Sequence, residues 1–308
     1  MSFIISVIIP TYNRRAALCA CLEALAQQQY SRDSFEVIVV NDGGSDCLTE
    51  LEAIYRRRLN CTVLNQPRSG PATARNSGAL RARGDYLVFT DDDCRPAPDW
   101  LNRLEQSLST SPGSLIGGRV VNALEQGLCS AASQQLIDFL YKTYTRNGRP
   151  RFFSSNNFAL SRDGFRDLSG FDESFPLAAA EDREFCARWS HGGRSMVYTA
   201  AAVVRHFHAL SIAGFLQQHF RYGRGAHLFR CRCAVWSRER VQLEPLSFYY
   251  RLLSYPFTLK SYNIRARLNI SLLFLLSQAA NAAGYCYEAL TSRRLPQYDP
   301  DSVSSTQV

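Results

Sequence analysis

With 308 residues, 46% of them hydrophobic, the chain can bury a large core, which excludes a disordered protein and a small fold stapled by disulfides. Its 35 Lys and Arg against 27 Asp and Glu leave a net charge of +8, pointing to an anionic partner: nucleotide, nucleic acid or acidic membrane surface. The excess lies mostly beyond Arg205. Ten cysteines show no zinc-ribbon spacing; Cys19 with Cys21 and Cys231 with Cys233 are the close pairs, and two ligands alone do not make a metal site. Reduced thiols in a cytoplasmic protein are expected. The start, Met1 to Ile5, lacks a basic leader and a small-residue cleavage site, so no signal peptide is expected.

The first ninety residues alternate β-branched runs with helical patterns. Strands are predicted over 3–9, 35–40, 61–64 and 86–90, and helices over 14–28, 47–58 and 71–83. Asn13 stands where it would cap the first helix, and Pro71 opens the third. Apolar strands separated by helices imply a mostly parallel sheet covered on both faces. Further on, strands are predicted over 115–121, 151–160 and 196–204, and helices over 130–144 and 181–190. Near Ala209 the β-branched density falls and helix-like, Arg- and aromatic-rich sequence follows. The expected division is an α/β domain at 1–209, a helical region at 210–295 and a polar disordered tail at 296–308.

In open α/β sheets ligands bind beyond the carboxyl ends of the strands. Three polar clusters fall there: Thr11-Tyr12-Asn13, Asn41-Asp42-Gly43 and Asp91-Asp92-Asp93. Like charges crowded at a strand end are unfavourable unless something neutralises them. A divalent cation carrying a diphosphate would do so, since carboxylate oxygens suit Mg²⁺ or Mn²⁺. An isolated acidic triplet reads as a solvated turn; three polar clusters converging on one sheet edge read as a site.

The segment Ser6-Val7-Ile8-Ile9-Pro10-Thr11-Tyr12-Asn13-Arg14 resembles the opening of family 2 glycosyltransferases of the GT-A fold. In the same order follow Val39-Val40-Asn41-Asp42-Gly43, Ala74-Arg75-Asn76-Ser77-Gly78, the Asp-x-Asp of Asp91 and Asp93, Gly170-Phe171-Asp172-Glu173 and Glu181-Asp182. The resemblance implies a Rossmann-like, mostly parallel sheet with a helical C-terminal appendage. It also implies a nucleotide-sugar donor, taken as UDP-linked, and inversion at the anomeric carbon. By that resemblance Pro10, Thr11, Tyr12, Asn13, Arg14, Asp42, Arg75, Asn76, Asp91, Asp92 and Asn157 serve the donor. Thr11 and Tyr12 flank the base, Asp42 meets the uracil, Asp91 meets the ribose, and Asn156 or Asn157 lies near the sugar. Asp93, joined by Asp91 and His206, holds the metal; for His208 a packed structural role is the preferred reading.

The chemistry accounts for these residue types. Cleaving the sugar–phosphate bond develops charge on a nucleoside diphosphate, which a held metal stabilises. Direct displacement also needs a base on the opposite face for the acceptor hydroxyl. The resemblance implies Asp182 for that base, with Glu181 second; adjacent carboxylates raise one another's proton affinity. Asp172 is implied on the acceptor side. Gln218 and Arg221 belong to Gln218-His219-Phe220-Arg221-Tyr222, which is similar to the Gln-x-x-Arg-Trp box of processive polysaccharide synthases. Tyrosine replaces the tryptophan and no transmembrane helices flank it, so single transfer to a glycan or lipid-linked acceptor is expected.

Leu268 to Tyr285 is the most apolar stretch, with Ser271, Ser277, Gln278, Asn281 and Glu288 on one side of the helix it would form. Arg265 and Arg267 before it, and Arg293 and Arg294 after it, give no inside–outside asymmetry. An amphipathic helix is expected, lying on a membrane or on the protein's own domain. Aromatics beside cations, in Phe248-Tyr249-Tyr250-Arg251 and Tyr255-Pro256-Phe257, favour the membrane, peripheral to the inner face of the cytoplasmic membrane. Three other readings compete. A nucleotide-sugar-binding module without turnover is opposed by intact Asp91, Asp93 and Asp182. A nucleotidyltransferase would favour a Gly-rich phosphate loop where Arg14-Arg15 stands. Nucleic-acid binding lacks any groove-entering module. The sugar, the acceptor, the linkage, the base of the donor nucleotide and the choice of Mg²⁺ or Mn²⁺ stay open at this stage.

Overall fold

The structure, a computed structural model, describes residues 4–124, 127–145, 150–237 and 244–292. In chain order the elements begin β1 (Ile5–Thr11), α1 (Arg15–Ala26), β2 (Phe35–Asp42), α2 (Thr49–Tyr55), β3 (Cys61–Gln66), α3 (Pro71–Arg81) and β4 (Tyr86–Thr90). There follow β5 (Cys94–Pro96), α4 (Trp100–Thr110), β6 (Leu115–Asn122), α5 (Leu128–Tyr144), β7 (Asn157–Ser161), α6 (Arg162–Asp167), α7 (Glu181–His191) and β8 (Met196–His206). The last elements are helices α8 (Ile212–Ser237), α9 (Leu246–Ser254) and α10 (Ile264–Thr291).

One eight-stranded sheet runs β3-β2-β1-β4-β7-β6-β8-β5. β1 to β4 are mutually parallel, β7 is antiparallel to both its neighbours, and β6 runs parallel to β8. Successive side chains of a strand point to opposite faces, and β1 divides accordingly. Ile5, Val7 and Ile9 join Leu22, Trp100 and Leu104 in one core, while Ile8 joins Phe89, Phe158, Phe171 and Trp189 in the other. A third cluster sits away from the sheet. Cys129, Leu136 and Phe139 of α5 pack with Phe215, Phe248, Leu252, Ile270, Leu273 and Phe274 of the C-terminal helices. Where α8 crosses α10 the backbones approach closely: a Cβ on Gly223 would collide with the Asn281 carbonyl, and one on Gly284 with the Phe220 carbonyl.

Several expectations need correcting. Asn13 does not cap α1; it takes φ 51°, and its Oδ1 accepts from the Ser45 backbone N–H at 2.7 Å, tying the loop after β1 to the loop after β2. Of the strand predicted over 151–160 only Asn157–Ser161 forms. The short β5 and the helices α4 and α6 were not anticipated. Among the described residues no helix is long and apolar enough to cross a membrane. The predicted tail at 296–308, with Arg293 and Arg294, lies outside the described residues.

Candidate active site

Parallel pairing of β2, β1 and β4 lines up their carboxyl ends, so the three polar clusters meet at one edge. Asp92 is fully buried and accepts from Thr11 Oγ1 at 2.7 Å. Arg14 donates to both Asp92 (Nε to Oδ2, 3.2 Å) and Asp93 (Nη1 to Oδ2, 2.8 Å). Burial is the largest influence on Asp92 and pushes its carboxyl up to about 6, against the pull of Arg14. Asp92 and Arg14 thus fasten the acidic turn to the end of β1.

Asp93 meets two imidazoles carried in by β8, whose last residue pairs with Cys94. His206 Nε2 lies 3.2 Å from Asp93 Oδ1 and His208 Nδ1 lies 3.4 Å from Oδ2. Burial alone would raise the Asp93 carboxyl, but hydrogen bonds from His206 and His208, then the charges of His206 and Arg14, outweigh it and hold it well below the usual range. One donor atom from each of Asp93, His206 and His208 falls within 4.8 Å of the others, as ligands of one ion must. Carboxylate and imidazole together suit Mn²⁺ better than Mg²⁺, which prefers oxygen donors. Asp91, expected in the metal set, is elsewhere: its Oδ1 accepts from Arg75 Nη2 at 2.9 Å. His208, expected to be structural, has its ring in the Asp93–His206 cluster.

Arg75 is buried and links Asp91 to Glu181, whose Oε1 accepts from its Nη1 at 3.0 Å. Burial, then the neighbouring Asp182, push the Glu181 carboxyl up to about 7 against the pull of Arg75. Asp182 is also raised, chiefly by burial; its Oδ2 accepts from the Ser155 N–H at 3.2 Å. Ser154 and Asn156, on either side of that Ser155, line a cleft together with His206, His208, Gln218 and Tyr222, among others. Gln218 donates to the Tyr222 hydroxyl at 2.7 Å, so the residue standing for the box's tryptophan faces the cleft.

Other expected residues are occupied elsewhere. Asn157 spends its amide inside the sheet: Oδ1 accepts from Trp100 Nε1 at 2.9 Å, and Nδ2 donates to the carbonyls of Arg119 and Ala202 at 3.0 Å. There the β6–β8 register jumps from Gly118 opposite Thr199 to Arg119 opposite Val203, and Asn157 ties the bulge together. Its neighbour Asn156 is the one on the cleft. Asp42 accepts from the N–H groups of Ser69 (2.8 Å) and Gly70 (2.9 Å) and from Gln66 Nε2 (2.8 Å), shaping the loop into α3. Asn76 holds the turn at Phe171 through its N–H and carbonyl, both at 2.9 Å. Asp172 pairs with Arg232 at 3.0 Å. Arg221 is exposed and does not line the cleft. Pro10 lies past the last β1–β4 pair, Ile8 with Phe89. Tyr12 is partly exposed with the Arg68 guanidinium 4.3 Å above its ring, an open flat surface at the sheet edge.

Residues 6–169 of this chain match the profile of glycosyl transferase family 2, which is more than half its length. The chain belongs to that family. It is 27% identical over 247 residues to glycosyltransferase AglE of Haloferax volcanii, covering 78% of this chain and 76% of AglE. It is 27% identical over 228 residues to the pre-mycofactocin glycosyltransferase of Mycobacterium tuberculosis, covering 72% of this chain and 46% of that one. Among solved structures, Staphylococcus aureus TarS 1-349 in complex with UDP is similar with a TM-score of 0.57 and 19% identity, over 96% of this chain and 93% of that chain. The mannosyltransferase PcManGT of Pyrobaculum calidifontis, in complex with GDP-Man and Mn²⁺, gives 0.60 and 20% over 98% and 83%. The fold is GT-A, and this family 2 member is a glycosyltransferase.

Proposed function

We propose that the protein transfers a sugar from a nucleotide-diphosphate donor, UDP-linked in this reading, to a glycan or lipid-linked acceptor by direct displacement with inversion. The observation that carries the reading is the cluster of Asp93, His206 and His208, with both imidazoles on the cleft, together with Asp182, which accepts from the N–H of Ser155 between the cleft residues Ser154 and Asn156. A divalent cation held by Asp93, His206 and His208 would supply charge to the leaving diphosphate as a Lewis acid, and the two imidazoles favour Mn²⁺. Asp182 takes the proton from the acceptor hydroxyl. Its raised proton affinity suits that task, because a base works best with a pKa near the working pH. Arg75 holds Asp91 and Glu181, so the carboxylates around the base are fixed without lowering Asp182 directly through a hydrogen bond. Tyr12 and Arg68 offer a stacking surface for the nucleotide base. Gln218 and Tyr222 offer the acceptor an amide and a hydroxyl. A lipid-linked acceptor is presented at a membrane surface, so this reading puts the protein in peripheral contact with the cytoplasmic membrane.

The test is calorimetric binding of a nucleotide-sugar panel with Mn²⁺, Mg²⁺ or chelator, for wild type, Asp93→Ala and Asp182→Asn. One donor should bind with Mn²⁺, fail with chelator and fail in Asp93→Ala. Asp182→Asn should bind it and lose turnover at least about a thousandfold. Absence of binding by every donor to folded protein would sink the reading.

A further inference from the structure

The polar stripe of α10 faces inward. Ser277 and Glu288 are buried, and Ser271, Gln278 and Asn281 are half-buried. Ser271 Oγ donates to the Leu253 carbonyl at 2.7 Å, and Glu288 accepts from Arg224 of α8 at 2.6 Å. Close packing of α8 against α10 leaves room for little else, as the Gly223 and Gly284 crossing shows. The inward side is completed by Ile270, Leu273 and Phe274, so the helix has already met its own core.

The opposite side is apolar and open. At about 100° per residue, Ile264, Leu268, Leu272, Leu275, Leu276, Ala279, Ala283 and Leu290 share one face. Ile264 is 59% exposed, Leu268 and Leu272 54%, Leu275 53% and Leu290 69%. Seven of the seventeen large hydrophobic residues exposed in the described protein are on α10, so the feature is a stripe rather than scatter. It runs for roughly 40 Å of helix. Tyr250 and Phe257, from segments packed beside α10, are exposed as well.

Charge decides the occupant. Residues 244–292 carry four cations, Arg251, Lys260, Arg265 and Arg267, against two acids, Glu244 and Glu288. Both acids are turned inward, Glu244 to the Tyr144 hydroxyl and Glu288 to Arg224. Arg251, Lys260 and Arg265 are exposed, and Arg265 lies on the apolar face at the end of the stripe. An exposed leucine stripe bordered by cations, on a helix too short of apolar length to span, is the pattern of a helix lying in a bilayer interface. We infer that the outward face of α10 docks the enzyme on an anionic phospholipid bilayer. The inference rests on the transferase reading only for the acceptor that such a surface would present. On its far side α10 packs on α8, whose Gln218 and Tyr222 line the cleft, so one helix layer separates the docked face from the acceptor groups.

The experiment is flotation of the full chain with phosphatidylcholine vesicles, with and without roughly 30 mol% phosphatidylglycerol, at low salt and at about 0.5 M salt. The variants are the triple Leu268→Gln, Leu272→Gln, Leu275→Gln and the single Arg265→Glu. Wild type should float with the anionic vesicles and less so at high salt. The triple variant should bind at least about tenfold more weakly, with an unchanged melting temperature. Donor binding, measured in solution without vesicles, should be the same in all three proteins. Its loss in wild type would count against the transferase reading alone. No flotation, or flotation that the triple variant keeps, overturns the docking face. So does a wild-type dimer in light scattering that the triple variant turns into a monomer, since the face then belongs to a second copy.

Discussion

Replacing Arg75 by methionine keeps most of its volume and removes the cation shared by Asp91 and Glu181. Glu181 is 3% exposed, and its Oε2 has no hydrogen-bond partner among the described residues. Stripping one partner from a buried ion pair costs about 3–5 kcal/mol, and the low end, about 3 kcal/mol, applies at pH 8.5. The reason is that Asp91 keeps 26% of its side chain exposed and can rehydrate. The effect should depend on pH. In the folded wild type, burial raises the Glu181 carboxyl from 4.5 to about 7, with Arg75 opposing. A carboxyl raised on folding favours the folded state fully below 4.5, and that advantage is lost as pH climbs to the folded value. In the wild type the loss is complete near 7; without Arg75 the folded value is higher and the loss continues. The stability gap should therefore widen by about 1.4 kcal/mol per pH unit above neutrality. Urea unfolding followed by the fluorescence of buried Trp100 and Trp189, at pH 6.5 and 8.5, measures it. A gap equal at both pH values, or below about 1 kcal/mol at pH 8.5, would refute the claim that Arg75 holds the charge of Glu181.

Metal linkage gives a second expectation: Mn²⁺ at a hundred times its dissociation constant should raise wild-type stability by about 2.7 kcal/mol. His208→Ala should remove most of that gain while leaving the metal-free melting temperature within a few degrees, and a gain retained in full would return His208 to a packing role. Gly223→Ala drives a methyl into the Asn281 carbonyl, and overpacking of this kind costs about 1–3 kcal/mol. Its effect should appear in the melting temperature and in the protease sensitivity of α10; wild-type behaviour in both would mean that the two helices separate freely.

The parallel half of the sheet was legible because its strands are apolar on both sides and its polar clusters sit at strand ends. Asp93, Asp182 and Glu181 were singled out by motif order, and His206 by its place after the last predicted strand. His208 was not, because two histidines flanking one residue look alike until β8 brings both to Asp93. Asn157 misled for a different reason: the motif pairs it with Asn156, and only the β6–β8 bulge reveals which amide the sheet consumes. The polar stripe of α10 was read correctly as a stripe. Its direction was hidden, because periodicity identifies two faces and says nothing of which one meets the protein when the inner face also carries Ile270, Leu273 and Phe274. β5 was missed at three residues, too short for any alternation to register.

The sheet order has a bearing on how the chain assembles. Asp93 and His208 are 115 residues apart; His206 ends β8 and His208 follows two residues on, and β8 takes its place between the short β5 and β6, which is itself held by β7. Closing contacts of that sequence separation is slow, because the intervening loop must be ordered first. A chain emerging from synthesis therefore carries its acidic turn long before it owns the imidazoles. An ion held by all three side chains would bind only after the far side of the sheet has formed, and would then hold that late strand in place.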